Sequence, residues 1–344
     1  MRLREIVDTD LPIIQAPMAG VQAAALAAAV CEAGGLGSLP CALLAPDAME
    51  RELAIVVRTR RPFNVNFFCH VPPRADETRE MAWRDELDAY YSEFGIDPAS
   101  IAAGPGRAPF THEAADVLDK ARPAIVSFHF GLPSRDLLDR VKRWGSRIIA
   151  SATTVDEARW LEEHGVDAVI AQGVEAGGHR GIFLTDDLTT QLGTFALLPQ
   201  VVAAVKVPVI AAGGIADAKG VKAAMALGAA AVQVGTAYLL CPEATTSAVH
   251  RAALKSAAAR HTALTNLFTG RPARGIMNRV MREKGPLNPA VPRFPLATGA
   301  IAPLRAKAEA RGSGDFSPLW SGENASGCRE IPAAQLTREL AAGL

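Results

Sequence analysis

Eight short apolar runs punctuate the chain, at residues 12–18, 36–42, 63–69, 124–130, 147–153, 168–173, 207–214 and 231–239. Most are continuously apolar rather than alternating, the pattern of strands buried on both faces. Segments of helical period separate them. Residues 155–165 bring Ala158, Trp160 and Leu161 near one face, and residues 134–145 and 216–228 begin at Ser134 and near Asp217, both capping types. These three segments stop at Gly145, Gly165 and Gly228. Eight strands with intervening helices predict an α/β protein, a (β/α)₈ TIM barrel. The rival, a doubly wound sheet, lacks a G-x-G-x-x-G after its first strand.

Two stretches break the rhythm. Residues 71–123 form an insertion with a helical stretch, MAWRDELDAYYSEFG, and a loop, AAGPGRAPF. Residues 241–344 are rich in Pro, Arg and Gly, with no charge block or low-complexity repeat. The expected division is a barrel over residues 1–240, carrying the insertion at 71–123, and a helical and loop extension over 241–344. Ordered long segments on a barrel commonly roof the active-site face, and both stretches are expected to do so.

Composition narrows the class. The 344 residues are 49% hydrophobic and 21% charged, enough for a sizeable core. Thirty-six basic side chains balance 36 acidic ones, so there is no basic excess of the kind a nucleic-acid partner requires. Any anion must be held by a local patch. The five cysteines, Cys31, Cys41, Cys69, Cys241 and Cys328, are scattered and contain no C-x-x-C, which points to reduced thiols. The charged start MRLREIVDTD is no signal peptide and no apolar run spans a bilayer, so a cytoplasmic location without a membrane partner is expected. No H-E-x-x-H, paired C-x-x-C or EF-hand loop appears, and no metal is expected.

In a barrel the chemistry gathers where strands end. Those ends carry Pro17 and Met18, Asn66, His129, Gln172, Gly213 and Gly214, and Gly235 and Thr236. The last two pairs follow strands seven and eight, where exposed backbone N–H groups at glycine turns suit a phosphate. Tight strand-to-helix packing is the alternative use of those glycines. AQGVEAGGHRG, residues 171–181, lets backbone approach a flat ligand and holds His179 at the barrel mouth. Glu175 and Arg180 read as residues that fix this loop. His129 either shares a substrate pocket with His179 or is a core histidine bonded to a carbonyl. His70, His112, His164, His250 and His261 fall in no such pattern, and solvent exposure is expected for them.

Taken together, PIIQAPMAG, PFNVNFF, SFHFG, QGVEAGGHRG, AAGGIAD, AVQVGTAYL and FTGRPARGIMNR resemble the nitronate monooxygenases. The stretch from PLRAKAEARGSGDFSPLWSGE onward is similar to the first class of that family, and it separates the chain from flavin-dependent enoyl reductases, which share EAGGH. The resemblance covers nearly the whole chain and implies a tightly held FMN. It implies that Met18 and Asn66 lie below the flavin ring, with Gln172 beside it. Gly177, Gly178, Gly214, Gln233, Val234, Gly235 and Thr236 would meet the phosphate. His179 would be catalytic and His129 would help position the substrate. The implied reaction oxidises alkyl nitronates, such as propionate 3-nitronate, with dioxygen to a carbonyl compound and nitrite, through a flavin semiquinone. His179 either clamps the nitro oxygens or takes a proton from a neutral nitroalkane. The chain would work as a monomer or homodimer. The alternative is an FMN-dependent NADH:quinone or enoyl-thioester reductase on the same fold. One departure stands out. Where the family's first class often places aromatic hydroxyls and a basic residue, this chain reads VPRFPLATGAIAPLR, leaving Phe294 with Arg293 or Arg305 as substitutes.

Overall fold

The computed structural model describes residues 6–101 and 107–344. The strands in chain order are β1 (Ile13–Gln15), β2 (Gly37–Pro40), β3 (Phe63–Phe68), β4 (Ile125–His129), β5 (Arg147–Ala152) and β6 (Ala168–Gln172), then β7 (Gly178–His179), β8 (Val209–Ala212) and β9 (Ala231–Val234). All but β7 form one parallel sheet in the order β1-β9-β8-β6-β5-β4-β3-β2. The ring closes where Gln15 N–H donates to Leu36 O at 3.0 Å and Leu36 N–H donates to Ile13 O at 2.9 Å. Every one of the eight apolar runs holds one barrel strand. The last run divides, because after β9 residues 236–240 wind into a short 3₁₀ turn.

Seven of the outer helices are α1 (Ala24–Glu32), α2 (Pro46–Val57), α4 (His112–Ala121), α5 (Arg135–Arg143), α6 (Val155–Glu163), α7 (Thr194–Ala204) and α8 (Ala218–Ala226), while α3 (Glu77–Phe94) belongs to the insertion. Asp217 caps α8 by accepting from Gly220 N–H at 2.8 Å. Ser134 occupies the capping position of α5, but its side chain makes no capping hydrogen bond.

The two faces of each strand pack into different cores. Ile13, Val65, Val126, Ile148, Val169, Val209, Val232 and Val234 join the core shared with the helices. Ile14, Ile125, Ile149, Ile170, Ile210 and Ala231 fill the floor of the barrel interior. Side chains alternate along a strand, so the inward positions above that floor are Asn66, Ser127, His129, Ser151, Gln172 and Gln233. The C-terminal mouth is therefore lined with polar groups on an apolar base.

The insertion and the extension meet each other. The extension contains α9 (Ala248–Leu254), β10 (Thr262–Thr265), β11 (Ala273–Ile276), α10 (Arg279–Lys284), α11 (Thr298–Ala310) and α12 (Ala333–Leu340). Trp83, Leu87, Tyr91 and Phe94 of α3 pack with Phe268, Val280, Ile301, Leu304 and Phe316 in a separate apolar core. Tyr91 Oη donates to Ala300 O at 2.7 Å and ties α3 to α11. Not all of the extension lies over the mouth: Ala333, Leu336 and Leu340 of α12 return to the main core. His112, His164 and His261 are exposed as expected, whereas His70 and His250 are buried, at 5% and 3% exposure. His250 is covered because its Nε2 meets Trp320 O at 3.1 Å under the extension. His70 is enclosed by the rings of Phe130 and Phe294.

Among the described residues, no helix is long and apolar enough to cross a membrane. Nor does any group of three or more His, Cys, Asp or Glu there stand ready to hold a metal ion. All five cysteines are free thiols.

Close approach of α1 to β2 rests on Gly37. A methyl group there would meet Ala27 O at 2.0 Å, which is backbone that cannot swing aside. Gly37→Ala is expected to lower unfolding free energy by about 3 kcal/mol, checked by urea denaturation; an unchanged midpoint would contradict this packing.

Candidate active site

A cleft at the mouth of the barrel encloses about 1330 Å³ of space, part of it open to solvent. Met18, Asn66, His129, Gln172, Gly177, Gly178, His179, Gly214, Gln233, Gly235 and Thr236 all line it. Val234 does not. It is 1% exposed and faces the helices, one position out of phase with Gln233. Its carbonyl accepts from Ala16 N–H at 2.8 Å and helps hold the loop that carries Met18.

The glycine loop after β6 is fastened at several points. Arg180 is fully buried and donates to Gly173 O and Gln172 O, each at 2.7 Å, and to Gln191 Oε1 at 3.0 Å. Glu175 accepts from Thr194 N–H and Thr194 Oγ1 at the start of α7. Arg274 donates to Val174 O at 2.8 Å and pairs with Glu323 at 3.0 Å, joining the loop to the extension. Glu175 and Arg180 are thus loop-fixing residues. Gly178 and Gly214 have φ of +71° and +70°, a region that a side chain would strain.

His179 is held by backbone and side chain together. It lies in β7, which pairs antiparallel with β11 so that His179 faces Ala273 and Gly178 faces Arg274. Its carbonyl accepts from Gln172 Nε2 at 3.0 Å and meets His129 Nε2 at 3.2 Å. Its Nε2 stands 2.9 Å from Thr269 Oγ1. In the tautomer that carries the proton on Nε2, the Thr269 lone pair receives it while the Thr269 hydroxyl reaches Arg271 O at 3.4 Å. Nδ1 then carries the lone pair and has no partner among the described residues.

Burial, reinforced by the nearby Arg107, His129 and Arg271, holds the His179 imidazole well below its ordinary 6.5. The ring is neutral at pH 7. Burial likewise presses His129 down to about 3. Its Nδ1 meets Ser151 Oγ at 3.0 Å, so both of its nitrogens are engaged. His129 lines the cleft and is also the histidine bonded to a backbone carbonyl, that of His179.

Several lining residues escaped the sequence reading. Ser127 receives Asn66 Nδ2 on its Oγ at 2.9 Å and orients that amide. From the extension, Trp320, Gly322 and Asn324 reach the cleft. Gly322 N–H donates to Thr236 Oγ1 at 2.9 Å, and Asn324 Nδ2 donates to Gly214 O at 3.0 Å. Arg107 enters from the insertion. The parity of His129 along β4 was a usable signal for Ser127. No local signal marked the residues of the extension.

Phe294 stands near His179, with ring centres 5.4 Å apart. Arg293 and Arg305, by contrast, are exposed, and Arg305 pairs with Glu309 at 2.8 Å. Neither replaces the missing base of the family pattern. The cations beside His179 are Arg107 and Arg271.

Comparison with known proteins decides the family. The family model described as nitronate monooxygenase matches residues 1–343. The chain belongs to the nitronate monooxygenase family. It is 44% identical to the nitronate monooxygenase of Pseudomonas aeruginosa, over 98% of this chain and 97% of that one. It is 43% identical to the nitronate monooxygenase of Paraburkholderia phytofirmans, over 98% and 93% of the two chains. Among solved structures, a nitroalkane oxidase from Streptomyces ansochromogenes superposes with a TM-score of 0.89 at 39% identity, covering 99% of this chain and 96% of that one. FabK from Thermotoga maritima is more distant, with a TM-score of 0.69 at 26% identity over 98% and 94% of the chains. As a nitronate monooxygenase family member the protein is an oxidoreductase, and the nitronate monooxygenase likeness outweighs the FabK likeness.

The depressed His129 makes stability pH-dependent. Above pH 6.5 the ring is neutral whether folded or unfolded, and the group contributes no slope. Between 6.5 and about 3 the unfolded chain takes a proton that the folded one refuses, so stability falls as pH falls. At most about 1.4 kcal/mol per pH unit comes from one such group. His129→Asn should flatten the curve of urea midpoint against pH below 6.5; parallel curves for variant and wild type would contradict the buried neutral ring.

Proposed function

We propose that the cleft binds FMN and that the enzyme oxidises alkyl nitronates, propionate 3-nitronate among them, with dioxygen to a carbonyl compound and nitrite. The observation that carries this reading is the neutral, doubly anchored His179 facing a glycine-lined cleft. The residues fit the cofactor. Gln233 lines the cleft, and its amide oxygen is buried without a hydrogen-bond partner among the described residues. A Cβ at Gly178 would point into open space. In this reading Met18, Asn66 and Gln172 flank the ring system. The backbone of Gly177, Gly178, Gly214, Gly235 and Thr236, with the amide N–H of Gln233, holds the phosphate end, while Gln233 Oε1 is left to accept from an N–H or O–H of the cofactor. Val234 contributes only as the strand behind Gln233. Bound there, FMN supplies the electron acceptor that dioxygen restores.

The protein's own share is binding, orientation and proton transfer. A nitronate needs no base. A neutral nitroalkane must lose a carbon-bound proton, and the free lone pair on His179 Nδ1 receives it while the electron pair moves onto the nitro oxygens. The Thr269 hydroxyl keeps Nε2 protonated and so fixes which nitrogen acts. A neutral ring with Nε2–H spent on Thr269 has no N–H left for the nitro oxygens, which favours the base over the clamp. His129 orients the loop through His179 O and borders the substrate. The enzyme is read as cytoplasmic, acting as a monomer or homodimer.

His179→Asn should cut kcat/KM for neutral nitroethane by about 100-fold or more and leave its nitronate within a few-fold. Equal loss on both substrates would assign His179 to holding the nitro oxygens instead. The functional reading itself is tested by anaerobic titration of the purified flavoprotein. Propionate 3-nitronate should bleach the flavin and NADH should not. Bleaching by NADH alone would favour the reductase alternative.

A further inference from the structure

One cation at the cleft is left without a counter-charge among the described residues. Arg107 lines the cleft and is half-buried, with its guanidinium carbon 5.5 Å from the centre of the Phe294 ring. Burial alone lowers its affinity for the proton, and no carboxylate offsets that among the described residues. The preceding residues 102–106 carry no acidic side chain. Glu175 is the sole acid lining the cleft among the described residues, and both its oxygens are committed to Thr194. The second cation near His179, Arg271, is engaged elsewhere. Its Nη2 donates to Ile182 O, and its guanidinium lies over the Phe130 ring at 4.0 Å.

A partly desolvated cation with no partner is unfavourable in the empty site and becomes favourable when an anion arrives. The guanidinium fork matches two coplanar oxygens on one group. His179, an acceptor at Nδ1, cannot serve that purpose. Arg293 and Arg305 point to solvent and Arg271 is engaged by Ile182 and Phe130, so the uncommitted positive charge at this pocket comes from the insertion.

We propose that Arg107 is the substrate-anion receptor of the cleft, binding the paired oxygens of a planar anionic group, a nitronate or a carboxylate, and so setting the preference for ionised over neutral substrates. This rests on the nitronate-oxidising reading above. It assigns a specificity role to the insertion, which sequence pattern alone marked only as a roof.

The test uses the full-length, flavin-loaded enzyme with Arg107→Gln and Arg107→Lys. Substrates are propyl 1-nitronate, propionate 3-nitronate and neutral nitroethane; calorimetry measures binding of nitrate and of propionate to the same proteins. Arg107→Gln should raise KM for nitronate substrate about tenfold or more, change kcat far less, and leave KM for nitroethane within about twofold. Arg107→Lys should recover part of the loss, because it restores charge without the fork. A rise for both nitronates, with weakened nitrate binding, places the nitronate group on Arg107. A rise confined to propionate 3-nitronate, with weakened propionate binding, places the carboxylate there. If the variant keeps its flavin and all KM and Kd values stay within about twofold of wild type, the proposal is overturned. A wild type that binds nitrate yet leaves every nitronate unoxidised would instead overturn the functional reading, while calorimetry still reports on Arg107.

Discussion

The site depends on pinning one neutral, buried imidazole at the edge of the cleft. His179 sits on a two-residue strand that could not persist alone. Its stability comes from β11, which supplies backbone pairing, and from Thr269, which takes the Nε2 proton. Both belong to the extension, so this placement of His179 exists only if residues 262–276 are docked on the barrel. That docking is secured from outside by the core that α3 and α11 share. The insertion and the extension are therefore more than a cover. They form one body whose packing sets the tautomer of a side chain on the loop after β6.

The barrel contributes a complementary constraint. Apolar inward residues fill its floor, so that polar inward residues are confined to the mouth. Each polar group there is oriented by a neighbour: Asn66 by Ser127, His129 by Ser151, Gln172 by Gly181 N–H and His179 O. Satisfied side-chain networks of this kind keep a site rigid without bound ligand. The exceptions are informative. Among the described residues Gln233 Oε1, His179 Nδ1 and the Arg107 fork have no hydrogen-bond partner, and each is matched by a different part of the proposed chemistry, namely cofactor, proton and anion.

The barrel was legible because its strands are short apolar runs spaced by helices with glycine stops, all local signals. Asn66, His129 and Gln172 were legible for the same reason, as they sit toward the ends of those runs. A contiguous motif hides the alternation of a strand, which turns the Val234 side chain away from the cleft while Gln233 faces in. The burial of His70 and His250 could not be read, since it comes from Phe294 and Trp320, more than 60 residues away in each case. The same distance in sequence concealed Thr269 behind His179 and Arg107 beside Phe294. What the chain encodes locally is the scaffold; the electrostatics of the site arise from contacts between segments that no periodicity links.

The central claim is that His179 is neutral at pH 7, with its proton on Nε2 and its lone pair on Nδ1. Nitrogen NMR of the flavin-loaded enzyme with ¹⁵N-labelled histidine, assigned by comparison with His179→Asn and followed from pH 8 to pH 5, reads this directly. The account predicts a neutral Nε2–H ring across that range, with the tautomer lost in Thr269→Val. An imidazolium at pH 7, or a proton resident on Nδ1, would contradict it.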